Sequence, residues 1–182
     1  MNFDSTSFKK STGADGTVSG GMGLVYLGLA DDMTTIATRY ASPTTNEEEV
    51  SVEGDHVFAA GKGFMPFYHD PTNTDDALNA AMNGEGDGSN TRTELIVFYP
   101  GKSYAIETLC KKKPKLIMLV GDVNCAREEY VQVGDKCDKA YIETWSYSKG
   151  NKKDGTPQGY SITVVAYNES ILNYGGTLTL AS

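Results

Sequence analysis

Between Lys115 and Leu180 the chain repeats one pattern five times: a short run rich in Val, Ile, Thr, Tyr or Trp, then a turn of Gly, Asn, Asp or Lys. The runs cover residues 116–120, 130–133, 140–147, 159–167 and 176–180. Strand-length runs closed by turn residues, with no intervening helical periodicity, exclude a βαβ architecture. They predict an antiparallel β-sandwich or barrel. The fold class expected is all-β, or α+β if a helix flanks the sheets.

The first half adds further strands, at residues 23–29, 50–52, 56–58, 63–68 and 94–99. Thr34, Thr35, Ile36 and Thr38 favour a strand over a helix for residues 33–40. Residues 43–49 read as a polar loop. Pro66 cannot donate to a ladder, so its segment is expected at a sheet edge or bulge. Residues 75–82, Asp-Asp-Ala-Leu-Asn-Ala-Ala-Met, predict the one short flanking helix. Thr74 is placed to cap it, the aspartates complement its positive end, and Gly84 can stop it. Residues 1–20 are polar and rich in Gly and Ser, with Phe3 and Phe8 as apolar anchors. They predict an extended, flexible N-terminal arm ahead of a single β-domain at 21–182.

The formal net charge of −8 opposes a nucleic-acid reader, whose affinity comes from cationic contacts to phosphate. It is compatible with a wall that nucleic acid slides past. No apolar run approaches the ~20 residues a membrane helix needs. Residues 1–7 lack a basic start and an apolar stretch, so synthesis in a cytoplasm without export is expected. Cys110, Cys125 and Cys137 are too widely spaced for a zinc knuckle. Free thiols are expected, with a Cys125–Cys137 bridge conceivable only in an oxidising exterior.

Glycine-rich stretches at 20–23 and 100–103 fail the phosphate-binding patterns, because Tyr26 and Ile96 stand where glycine is required. Residues 83–94 carry the calcium-loop spacing: Asn83, Glu85 and Asp87 at positions one, three and five, Gly88 at six and Glu94 at twelve. A hard cation wants oxygens wrapped by such a turn. However, Asn90 replaces the usual apolar anchor, and a strand rather than a helix follows. His56 and His69 are expected as capped strand-end histidines. The competing reading of His69 pairs it as a base with the adjacent Asp70. No nucleophile context accompanies either, and no enzyme is expected. Tyr141, Trp145, Tyr147, Tyr160 and Tyr167 fall mostly at even spacing, which predicts aromatic core and cross-strand pairs. A sugar-binding face is the alternative.

The segment from Leu116 to Leu180 resembles the C-terminal part of bacteriophage tail-tube-type virion proteins. The resemblance is carried by 116–122, 129–134, 140–145, the charged turn 149–159, the strand 160–167 and the close after Asn173-Tyr-Gly-Gly. It implies a virion structural protein, made in the host cytoplasm, forming hexameric rings stacked into a tube with an acidic lumen. Partners would be copies of itself, other virion proteins and passing DNA, without sequence-specific binding or a membrane. Residues 1–20 and 50–68 are the expected contacts, with Glu47, Glu48 and Glu49 facing lumen or solvent. A capsid decoration or head–tail connector protein is the neighbouring alternative; a carbohydrate-binding β-sandwich is the alternative from another class.

Overall fold

The computed structural model describes residues 24–70, 76–85, 89–121, 130–151 and 155–182. Within these, pairing between strands is antiparallel throughout and two sheets dominate. The first has five strands: β1 (Val25–Leu29), β6 (Met65–Phe67), β9 (Leu116–Gly121), β10 (Tyr130–Val133) and β13 (Leu172–Tyr174), in the order β13-β10-β9-β1-β6. The second has four: β7 (Ala77–Asn83), β8 (Asn90–Pro100), β11 (Tyr141–Ser148) and β12 (Gly159–Asn168), in the order β11-β12-β8-β7. Two ribbons complete the set, β2 (Met33–Thr35) with β5 (Val57–Phe58), and β3 (Thr38–Arg39) with β4 (Val52–Glu53). The expected β-rich, antiparallel class is what the chain adopts.

The apolar run of β9 explains how the layers are arranged. Successive strand side chains point to opposite faces, so a run without polar interruption must be covered on both. Leu116, Met118 and Val120 join Val25, Leu27 and Leu29 in a core shared with Leu95, Val97, Tyr99, Ile162 and Val164 of the four-stranded sheet. On the other face, Ile117 and Leu119 pack with Tyr26, Val52, Phe64, Leu172 and Tyr174 in a second core. Each fully buried side chain of this size contributes about 1.5–3 kcal/mol.

The flanking helix is α2 (Tyr104–Lys112). Ser103 caps it by accepting the Ile106 N–H, and Ile106, Leu109 and Cys110, spaced for one face, enter the first core. Tyr160 Oη donates to Glu107 Oε1 at 2.9 Å, tying the helix to β12. The helix ends at Lys113, which is left-handed with φ 45°.

Three expectations are corrected here. Residues 77–83 are a strand and not the flanking helix, because pairing with β8 along the whole segment outweighs a helix preference of a few tenths of a kcal/mol per residue. Asp76 therefore faces no helix end; it accepts the Phe98 N–H at 2.7 Å and holds His69 Nδ1 at 2.7 Å. Residues 176–180 form no strand: Leu180 alone bridges, to Phe64, and the closing strand is β13. The polar loop at 43–49 contains one helical turn, α1 (Asn46–Glu49), capped by Thr45. Residues 33–40 are extended as expected but divide into β2 and β3. Pro66 lies in β6, an edge strand, as a residue lacking an N–H must. The proposed arm at residues 1–20, Asp75 and Cys125 lie outside the described residues.

Candidate assembly interface

The four-stranded sheet ends in two strands that, among the described residues, carry no partner along their outer edges. An open edge presents unpaired N–H and C=O groups to any strand that approaches, and single-chain proteins usually defend it with charge or proline. β7 does neither. Its sequence, Ala-Leu-Asn-Ala-Ala-Met-Asn, holds no ionisable group, and it is exposed from Asn79 to Asn83, with Met82 at 76%. β11, at the other end, bears one charged residue, Glu143.

Register fixes which side chains lie on the core side of each edge. Leu78 stands opposite Leu95, and Trp145 and Tyr147 stand opposite Ile162 and Tyr160. Leu78 and Tyr147 are therefore the half-buried outermost members of the first core, one at each edge. Tyr147 and Tyr160 pack with ring centroids 4.7 Å apart. Trp145 remains 43% exposed just beyond them. Of the five aromatics expected to supply core and cross-strand pairs, Trp145, Tyr147 and Tyr160 are on the core side. Tyr141 and Tyr167 are on the opposite face: the bulge between Ile142 and Thr144 shifts the alternation ahead of Trp145, and Tyr167 is an odd number of residues from Tyr160 along β12.

That opposite face carries a compact charge cluster. Arg92 is hydrogen-bonded to the Glu94 carboxylate and, through Nη2, to Glu143 Oε2 at 2.7 Å. The Glu94 hydrogen bond holds the guanidinium firmly in its charged form. This locates the calcium-loop candidates. Glu94 sits within β8 and is engaged by Arg92; Asn83 ends β7 and donates to Asn90 Oδ1 at 3.3 Å; Glu85 is exposed; Asp87 lies outside the described residues. Among the described residues no three His, Cys, Asp or Glu side chains gather where they could hold a metal ion.

The histidines have structural partners. His56 is buried in the second core, where Nδ1 accepts the Ala37 N–H at 3.1 Å and Nε2 meets Gln132 Oε1 at 2.9 Å. Gln132 passes the chain on to the Gly134 carbonyl at 2.8 Å. His69 is held by Asp76, a carboxylate seven positions away, where the adjacent Asp70 was the sequence candidate. Cys110 is buried and free, Cys137 exposed and free. Of residues 50–68, Val52, Phe64, Met65 and Phe67 are buried within the chain, and Phe64 is bridged by Leu180. Glu47 and Glu48 line an open cleft of about 800 Å³ with Asp55 and Asn173. Sequence reasoning missed β7 as an edge; its signal was the absence of charge in a segment beside a strong strand.

Compared with known proteins, the chain matches no family model, and no curated protein or solved structure is significantly similar to it.

Proposed function

We propose that this chain is a virion structural protein, a tail-tube-type subunit that assembles with copies of itself into rings stacked around a DNA conduit. The observation that supports this most is that, among the described residues, both edges of the four-stranded sheet are left without a partner strand. Strands in the order β11-β12-β8-β7 alternate in direction, so the two edges run opposite ways. A copy rotated about an axis along the strands then brings its β7 antiparallel to β11 of its neighbour. Such head-to-tail contacts close into a ring when the rotation divides a full turn. The resemblance of residues 116–180 favours this class, and the net charge of −8 suits a surface that DNA passes without adhering.

In this reading the partners are further copies, other virion proteins and passing DNA, and the site of action is the virion after synthesis in the host cytoplasm. A capsid decoration or head–tail connector role is the alternative within the same class. Negative-stain microscopy with mass photometry over a concentration series tests the reading. Rings or tubes are expected; a monomer at every concentration overturns it.

A further inference from the structure

We propose that β7 of one copy joins β11 of the next in one register, from Ala77 opposite Ser148 to Ala81 opposite Thr144. This rests on the assembly reading above and specifies its contact. Three independent features select the register.

The first is which way the side chains face. In this alignment Leu78 meets Tyr147 and Ala80 meets Trp145, all four on the core side, while Asn79 meets Ser146 on the opposite face. The outermost core residues of the two edges are thus brought together, and the hydrophobic layer continues from one copy into the next. A slip by one residue would set apolar against polar side chains along the whole contact.

The second is chain ends and charge. Ala77 begins β7 and Ser148 ends β11, so the ends coincide, and the paired segment stops where the bulge at Ile142/Thr144 breaks the ladder. No charged side chain lies in either paired segment. Glu143, just past it, is already engaged by Arg92.

The third is tilt. Following the sheet's own register, Ala77 is level with Ile96, Thr163 and Thr144. Pairing Ala77 with Ser148 of the neighbour therefore staggers each copy by four residues across four strands. That is about 13 Å along the strands for about 19 Å across them, a tilt of about 35°, which falls at the value closed barrels adopt. The register sets the tilt and leaves the number of copies to curvature.

Trp145 is the only tryptophan of the chain, which makes the unaltered protein its own reporter. Emission and acrylamide quenching are measured over the concentration range used for microscopy. Ring formation should be accompanied by a blue shift and loss of quenching. In parallel, the Ala80→Cys/Trp145→Cys variant is oxidised and its linked peptides identified by mass spectrometry. The two positions lie on opposite edges of one sheet, so a link between them joins two copies. The expected result is a ladder of oligomers through that link, and none through the Ala80→Cys/Tyr147→Cys pair. Rings whose Trp145 emission does not change, or rings linked through the second pair instead, overturn this register while leaving self-assembly standing. Absence of rings at any concentration overturns the assembly reading and this inference with it.

Discussion

The imidazole of His56 lies against the ring of Tyr174, 4.7 Å between centroids and 25° between planes, deep in the second core. The His56 N–H also reaches Tyr174 Oη at 3.3 Å, and that hydroxyl donates to the Thr177 carbonyl at 2.9 Å. One histidine thus joins the ribbon around Ala37, the five-stranded sheet through Gln132 and the C-terminal segment.

Acid should loosen this junction. Burial lowers the His56 pKa below its ordinary 6.5, so the unfolded chain takes the proton first. The stabilisation is complete above about pH 6.5 and is lost as pH falls from there through the lowered folded value. Protonation also puts a hydrogen on Nδ1, which must accept from Ala37. Urea unfolding from pH 7.5 to 5 should show stability falling with pH, and the slope should be shallower in His56→Gln. Equal slopes would assign the effect elsewhere. His56→Ala, which orphans the Ala37 N–H and opens a cavity, should cost about 3 kcal/mol.

Gly63→Ala should detach the C-terminal segment. A Cβ at Gly63 would lie 2.5 Å from the Ala181 nitrogen and 2.7 Å from the Leu180 carbonyl oxygen, both backbone atoms that cannot swing aside. The bonds from Phe64 N–H to Thr179 and from Ala181 N–H to Phe64 would be strained or lost. Hydrogen exchange at those two amides should accelerate at least tenfold, equivalent to about 1.4 kcal/mol of local opening. Unchanged protection would show that the segment accommodates a methyl group.

Lys113→Gly should stabilise the protein. A left-handed residue with a side chain costs about 1 kcal/mol through its Cβ, a clash that glycine avoids, and Lys113 has φ 45° at the C-terminus of α2. Its ammonium contact with the Glu143 carbonyl, at 3.4 Å, is long and exposed and offsets little. A rise in thermal midpoint of a few degrees is the expected result; a fall would mean that the contact matters more than the backbone.

The thiols should separate cleanly. Burial pushes Cys110 up to about 11, so it stays protonated and shielded at neutral pH, while Cys137 is exposed. Peptide mapping after brief alkylation of the native protein should find Cys137 modified and Cys110 intact, with Cys110 reacting only in denaturant. Modification of Cys110 at the rate of Cys137 would place α2 away from the first core.

Most strands were legible because β-branched and aromatic residues cluster between turn residues, as in 116–120 and 159–167. The sequence of 77–83 misled for a physical reason: Ala, Leu, Met and Asn carry no strand preference, and only pairing with β8 fixes their state. The true helix was legible in part, since Ser103 precedes Ile106, Leu109 and Cys110 at helical spacing, but Tyr104 and Thr108 mask it with strand-forming side chains. Residues 172–174 hid inside a turn-rich stretch, though Leu172 and Tyr174 alternate as buried neighbours. For the candidate interface, sequence shows which residues are apolar. Which edge they occupy follows from a strand order that no local pattern carries.

The two-faced burial of β9 sets a timetable for synthesis. β1 pairs with β9 residue by residue, Val25 with Val120 and Leu29 with Leu116, across about half the length of the chain. Strand β1 therefore leaves the ribosome long before the partner that covers one of its edges, and β6 can protect only the other, from Val25 to Leu27. Until residue 121 has emerged, Val25, Leu27 and Leu29 lack the strand that completes their layer. Contacts so distant in sequence form slowly and leave apolar surface available to other chains meanwhile. The nascent N-terminal half must pass this interval with that surface uncovered, which makes it a client for chaperones.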